Sequence, residues 1–229
     1  PIASLATWAQ RGIAGGRVSI NDLMQPAIST ATVAVIAAVL AVAVVMPIAI
    51  ATTRRPHRSS DIAAVSVIVG FAIPGLVIAL ALAVFTLNTP VLKGLYQTSA
   101  LLIIAYVIHF GSQALASTES AVRAIPHALR ESSRLLESNP IRRFFQVDFA
   151  LMRPGLVAGG GLVMLSTLKE LPATLLLSPI GFSTLTTEIW SSYEEGFYAE
   201  TGAASLVLVA VSATLTWFLV LRRSEVVRG

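Results

Sequence analysis

Residues Ala27–Ala51, AISTATVAVIAAVLAVAVVMPIAIA, contain no Asp, Glu, Lys or Arg. A helix needs about 20 apolar residues to cross the hydrocarbon core of a bilayer, so this stretch alone reads as a membrane span. Ile62–Leu87, Ser99–Ala116 and Ala203–Leu221 are likewise free of those four residue types. That is what hydrocarbon requires, because a formal charge at mid-bilayer costs a few kcal/mol or more. A fifth run, Pro154–Leu168, is shorter and rich in glycine, and the apolar stretch Leu171–Leu177 follows it across Lys169 and Glu170. The runs are continuous rather than alternating, which favours helices over a barrel.

The whole chain agrees with its spans. Of 229 residues, 55% are hydrophobic and 12% charged, with a mean hydropathy of +0.78. Soluble domains carry about 25% charged residues, so a water-soluble globule, a disordered chain and a nucleic-acid module are all excluded despite a net charge of +4. The absence of cysteine rules out a disulfide framework, a thiolate zinc site and a cysteine nucleophile.

The 16 cations give the orientation. If the spans alternate sides, 12 of them fall on one face, in Thr52–Asp61, Ser117–Arg153 and Arg222–Gly229. The other face holds Arg11, Arg17, Lys93 and Lys169. By the positive-inside rule the first face is cytoplasmic. Six of the 12 acids, Asp22, Glu170, Glu188, Glu194, Glu195 and Glu200, fall on the opposite side. Residues 1–25 are expected to be the end of a truncated preceding helix, reaching an interface at Trp8, followed by an external loop over Arg11–Gln25. Residues 26–223 form the transmembrane domain and 224–229 a cytoplasmic tail.

The loop over residues 117–153 is long, polar and patterned. Pro126 is placed to open a helix in which Ala128, Leu129, Ser132, Leu135 and Leu136 share a face. Asn139-Pro140 stops that helix and starts a second, with Ile141, Phe144, Phe145 and Phe149 at helical spacing. Two short amphipathic helices of this kind present a surface that a soluble partner is able to grip. A solvated loop whose cations only enforce topology is the alternative.

Within this loop Ile125–Gly155, IPHALRESSRLLESNPIRRFFQVDFALMRPG, resembles the cytoplasmic signature loop of binding-protein-dependent ABC importer permeases, the EAA loop. Glu131 matches the Glu of that signature, and Ser132 and Ser133 stand for its two alanines. Glu137 occupies the glycine position and Phe149-Ala150 the Leu-Pro position, while Val147, Pro154 and Gly155 match. The stretch Leu168–Trp190, LKELPATLLLSPIGFSTLTTEIW, is similar to the corresponding region of ferric-iron permeases, in which two permease halves are commonly fused. Permeases for thiamine, polyamines and sulfate share much of this pattern.

The resemblance implies an all-α polytopic bundle with the MetI-like permease fold, about five transmembrane helices and cytoplasmic coupling helices. It implies a multi-pass protein of a prokaryotic plasma (inner) membrane, with the coupling loop and C-terminus cytoplasmic. The expected function is that of a half-permease of an ATP-driven importer, with ferric iron as cargo. The implied partners are a cytoplasmic ATPase dimer, an extracytoplasmic substrate-binding protein, a second permease half fused N-terminally, and the bilayer itself. The chain would hold no cofactor and no catalytic residue. Ala128, Glu131, Ser132, Ser133, Leu136, Glu137 and Ser138 would dock the ATPase. Lys169 and Glu170, at the external mouth, and Pro74-Gly75, at a helix break, are the candidate pathway residues.

The remaining motifs are weighed against this reading. Gly159-Gly160-Gly161 lacks the lysine of a phosphate-binding loop. Gly155 and Gly159, four apart, suit close helix packing. His109 is expected to bond between helices rather than to ligate a metal, and its pairing with Ser112 lacks a third partner for chemistry. Tyr193, Glu194, Glu195, Tyr198 and Glu200 offer hard oxygen donors. However, Leu185, Ile189, Trp190, Tyr193 and Phe197 make an amphipathic stripe, which favours a helix lying at the interface. An ion-coupled secondary transporter would need a carboxylate near mid-bilayer, and no long span has one.

Overall fold

Every regular element among the described residues is helical. Lipid imposes this, since a helix satisfies its own backbone where no water is at hand. The structure, a computed structural model, describes residues 2–15, 19–54, 56–136 and 139–226. For Ile20, His127, Arg130, Arg134, Leu135, Leu136 and residues 219–226 it describes the backbone alone. The helices are α1 (Ile2–Ala14), α2 (Ile20–Arg54), α3 (Arg58–Ala72), α4 (Gly75–Asn88), α5 (Ser99–Arg123), α6 (His127–Leu136), α7 (Pro140–Arg143), α8 (Phe149–Thr167), α9 (Pro172–Leu177), α10 (Leu185–Glu194) and α11 (Tyr198–Val226). A 3-10 segment covers Pro90–Leu95, and a π-helical turn, Phe144–Asp148, joins α7 to α8.

Among the described residues, four stretches are long and apolar enough to cross a membrane: Asn21–Arg54, Ser99–Arg123, Pro140–Thr167 and Tyr198–Phe218. Helices α3 and α4 qualify together as a fifth, bent pair. The span expected over Ile62–Leu87 is therefore two helices. Pro74 has no N–H to continue α3 and drives the residue before it out of the helical region. It caps α4 at φ −55° and ψ 138°, and its carbonyl accepts from the N–H groups of Val77 and Ile78 at 2.9 and 3.2 Å.

The described residues of Arg11–Gln25, a segment expected as a loop, are mostly helical. Arg11 lies in the last turn of α1 and Asp22 in the first turn of α2. A cation at a helix C-terminus and an anion at an N-terminus are both favoured by the helix dipole, so these charges mark helix ends.

Side-chain size along α2 is sorted in the way lipid favours. Ala34, Ala37, Ala38, Ala41, Val45 and Ala49 are buried, while Val35, Ile36, Val39, Leu40 and Val44 are exposed. Lipid tails are as apolar as leucine, so large side chains gain nothing from facing inward and small ones let backbones approach.

The chain forms two compact units. Unit one comprises Pro1–Ala37, Ile73–Tyr106 and Met164–Gly229, and unit two Ala38–Ala72 and Val107–Val163. In unit one α1 packs on α11, where Trp8 lies against Tyr198 with ring centroids 5.3 Å apart. A core of Ala9, Leu23, Ala203 and Ala204 takes in Ile189 of α10. Of the expected amphipathic stripe, Leu185 is buried and Ile189 packs on that core, Trp190 and Tyr193 of α10 remain exposed, and Phe197, also exposed, lies in the turn beyond the end of α10. The turn into α11 depends on Gly196, whose φ of +80° is a left-handed conformation that costs other residues a steric penalty.

In unit two the glycines of α8 bring it against α5. A Cβ on Gly155 would overlap that of Ala121, and one on Gly159 would lie 3.1–3.3 Å from Ser117 and Ala114. Ser117 Oγ donates to the Gly155 carbonyl at 3.0 Å. His109 bridges helices as expected: its Nδ1 lies 3.3 Å from the Gly70 carbonyl and its ring sits beside Phe71 and Phe110.

Candidate functional site

The loop between α5 and α8 is two helices, as its spacing predicts. Pro126 precedes α6, and Asn139 caps α7 by accepting from the N–H groups of Ile141 and Arg142 at 3.0 and 3.3 Å. Asparagine is favoured here because its side-chain oxygen satisfies N–H groups that have no partner within the helix. On α6, Ala128, Leu129, Glu131 and Ser132 are exposed while Ser133 is buried at 8%. Thus Glu131 and Ser132 present themselves outward, whereas Ser133 belongs to the packing of α6. Leu136 ends the helix, and Glu137 and Ser138 lie outside the described residues. Beyond α7, Phe144, Phe145 and Phe149 form an aromatic cluster with centroids 5.3–6.5 Å apart, Phe145 being strongly exposed.

Two acids anchor this region to the last turn of α2. Asp148, only 7% exposed, accepts from both terminal nitrogens of Arg54, at 2.6 and 3.2 Å. Glu119 of α5 accepts from Thr52 Oγ1 at 2.8 Å and from Arg123 at 3.2 Å. Sequence reasoning counted Arg54 among the cations that set topology and gave Asp148 no role. The available signal was an isolated acid within the apolar run FQVDFAL. Its partner, 94 positions away, leaves no local mark.

The pathway candidates divide. Lys169 is exposed. Glu170 sits where the chain breaks between α8 and α9, and its neighbours take up the freed backbone groups. Its Oε1 accepts from the Ala173 N–H at 3.2 Å. Its carbonyl accepts from the hydroxyls of Thr174 and Thr186 at 2.7 and 3.3 Å. Buried Tyr106 shares a hydrogen bond with Thr174, and Thr30 accepts from the Leu185 N–H at 2.8 Å while donating to the Pro26 carbonyl. Thr30, Tyr106, Thr167, Glu170, Thr184 and Thr186 line one narrow crevice of unit one, in which the buried Thr167 hydroxyl has no hydrogen-bond partner among the described residues. Sequence reasoning found Glu170 but missed these hydroxyls, which are lone polar residues within apolar or turn segments. Pro74 and Gly75 open α4, which packs on α9. Among the described residues no group of three or more His, Cys, Asp or Glu is placed to hold a metal ion.

Glu170→Ala is expected to destabilise unit one by about 1 kcal/mol, because Ala173 loses its cap, whereas Lys169→Ala stays within about 0.5 kcal/mol. Denaturation of the two variants in detergent, followed by tryptophan fluorescence, measures the difference. Equal stabilities would show that the cap is not used.

These helices, with their amphipathic loop and small-residue contacts, are those of a multi-pass membrane protein. Residues 43–224 match the family described as the binding-protein-dependent transport system inner membrane component, and the chain belongs to that family. It is 32% identical over 148 residues to the Fe(3+)-transport system permease protein FbpB 2 of Haemophilus influenzae, covering 65% of this chain and 29% of that one. It is 28% identical over 110 residues to the 2-aminoethylphosphonate transport system permease protein PhnU of Salmonella typhimurium, covering 48% and 38%. The chain spans less than half the length of these curated relatives. A solved chain of the MetNI methionine ABC transporter, in inward-facing conformations, shares its fold with a TM-score of 0.65 at 16% identity, covering 92% of this chain and 98% of that one. The protein is thus a multi-pass inner-membrane transport component with the MetI-like permease fold.

Proposed function

We propose that this chain is half of the translocation pathway of an ATP-driven importer whose cargo is ferric iron. The observation that carries the cargo is the 32% identity over 148 residues to a ferric-iron permease. Residues 26–223 form the transmembrane domain, between the external segment 1–25 and a short cytoplasmic tail, 224–229. The loop 117–153 faces the cytoplasm, as the concentration of cations in it supports. There Ala128, Glu131, Ser132, Leu136, Glu137 and Ser138 dock one subunit of an ATPase dimer, while buried Ser133 holds α6 in its packing. Hydrolysis belongs to that partner, and this chain supplies only the path and the mechanical link. A substrate-binding protein delivers cargo to the external face, and a second permease half completes the path. Lys169 and Glu170 stand at the external mouth, and the break at Pro74-Gly75 lets α4 change its angle. A second reading, import of a small phosphonate, is favoured by the relationship to the aminoethylphosphonate permease.

In right-side-out membrane vesicles loaded with ATP and containing the whole transporter, iron delivered on the binding protein is expected to accumulate when the proton gradient is collapsed. Uptake that stops on collapse would indicate an ion-coupled transporter instead. Phosphonate uptake without iron uptake would select the second reading.

A further inference from the structure

The end of α2 holds both arms of the loop between α5 and α8. Within unit two, Val42, Met46 and Ile50 of α2 repeat at four-residue spacing and pack against a core of Val122, Ile125, Met152 and Leu156. These contacts are apolar and adaptable in angle. The next turn of α2 is polar. Thr52 reaches Glu119, which precedes α6 in the chain, and Arg54 reaches Asp148, which follows it. The two stretches of chain that carry α6 are therefore both fastened to one helical turn.

The Arg54 link fixes direction as well as distance. A guanidinium facing a carboxylate with two parallel N–H···O bonds admits one relative orientation, which an ammonium on a flexible stem does not impose. The side chains are 19% and 10% exposed, so water neither screens nor replaces the pair freely. Apolar residues of similar size would hold two helices together at least as well, and a buried pair is therefore weak evidence of a stability role. Its position fits transmission: one partner ends a membrane span and the other sits in the π turn that ends the loop.

We propose that Arg54 is a positioning residue for energy coupling. Through its paired bonds to Asp148 it passes displacement of the docking helix α6 to α2, so that nucleotide-driven movement of the ATPase moves the span. The proposal rests on the reading of loop 117–153 as the ATPase-docking segment.

The test uses the complete transporter, reconstituted in proteoliposomes with its ATPase and binding protein. Arg54→Lys, Arg54→Gln, Asp148→Asn and the exchange of Arg54→Asp with Asp148→Arg are compared with the wild type. The readout is the stimulation of ATP hydrolysis by the binding protein, normalised to assembled complex, which needs no knowledge of the cargo. Complexes of Arg54→Lys and Asp148→Asn are expected to assemble while stimulation falls about tenfold, and the exchange is expected to regain most of it. Wild-type stimulation in whatever fraction of each variant assembles would overturn the proposal, since a pair serving only stability lowers the amount of complex and not its coupling. Failure of even Arg54→Lys to assemble would overturn it in the same way. A wild-type permease that binds no ATPase would overturn the docking reading itself, and that result is visible before any variant is made.

Discussion

Transport is expected to fall by at least about 100-fold when Glu131 and Ser133 are both replaced by arginine, with the ATPase no longer co-purifying. Two separate effects combine. Glu131 is exposed, so its reversal presents the partner with a like or unmatched charge at an interface where central residues are worth several kcal/mol. Ser133 is buried within the packing of α6, so an arginine has no room there and displaces the helix that carries the surface. Ser132→Ala is the control: that residue is exposed, small and isosteric with the change, and transport is expected to stay within about twofold. Pull-down of the ATPase in detergent and uptake in vesicles give the two readouts. Normal association of the double variant would remove α6 from the docking surface.

The second large effect lies where α5 and α8 touch. Gly155→Leu is expected to leave little folded protein, and even Gly155→Ala to cost about 2 kcal/mol, because the added carbon would occupy the space of the Ala121 methyl. The displaced helix would also strain the bond from Ser117 to the Gly155 carbonyl. Gly160→Ala on the same helix is expected to be neutral or to stabilise by about 0.5 kcal/mol, since its methyl would meet Val42 and Ala38 at ordinary distances of 3.5 and 4.0 Å while helix propensity improves. Thermal unfolding of the three variants in one detergent, monitored by circular dichroism, orders them. Equal midpoints for Gly155→Ala and Gly160→Ala would mean that the close approach is relieved at no cost.

Much of the fold was legible because lipid makes a simple demand. Ala27–Ala51 announces a span by lacking charge, and the same absence locates the others. Gly155 and Gly159 were readable as a close contact because four-residue spacing places them on one face. The helical character of the described residues of Arg11–Gln25 was not readable, since charges at helix ends and charges in loops look alike until the dipole is considered. Nor did the sequence mark how α10 divides its stripe, burying Leu185 and leaving Trp190 exposed, because that depends on where α1 and α11 lie. In the site, α6 and Glu131 follow from periodicity and resemblance. The Arg54–Asp148 pair and the hydroxyls around Glu170 depend on contacts between distant segments, for which a single chain offers no period to count.

The π turn at Phe144–Asp148 gives the loop a further property. Its ring closes from the Phe149 N–H back to the Phe144 carbonyl, one residue wider than an α turn. The wide turn takes up one extra residue, so removing one there would restore α geometry and leave α7 near its present rotation about the axis of α8, whereas removing one from regular α8 would rotate α7 by about 100°. A deletion within α8 would thus turn Asp148 away from Arg54 and point the aromatic cluster elsewhere, with every other side chain unchanged. The direction in which the loop presents itself is thus set by a residue count as well as by chemistry. A one-residue deletion in this turn would be milder than one in α8.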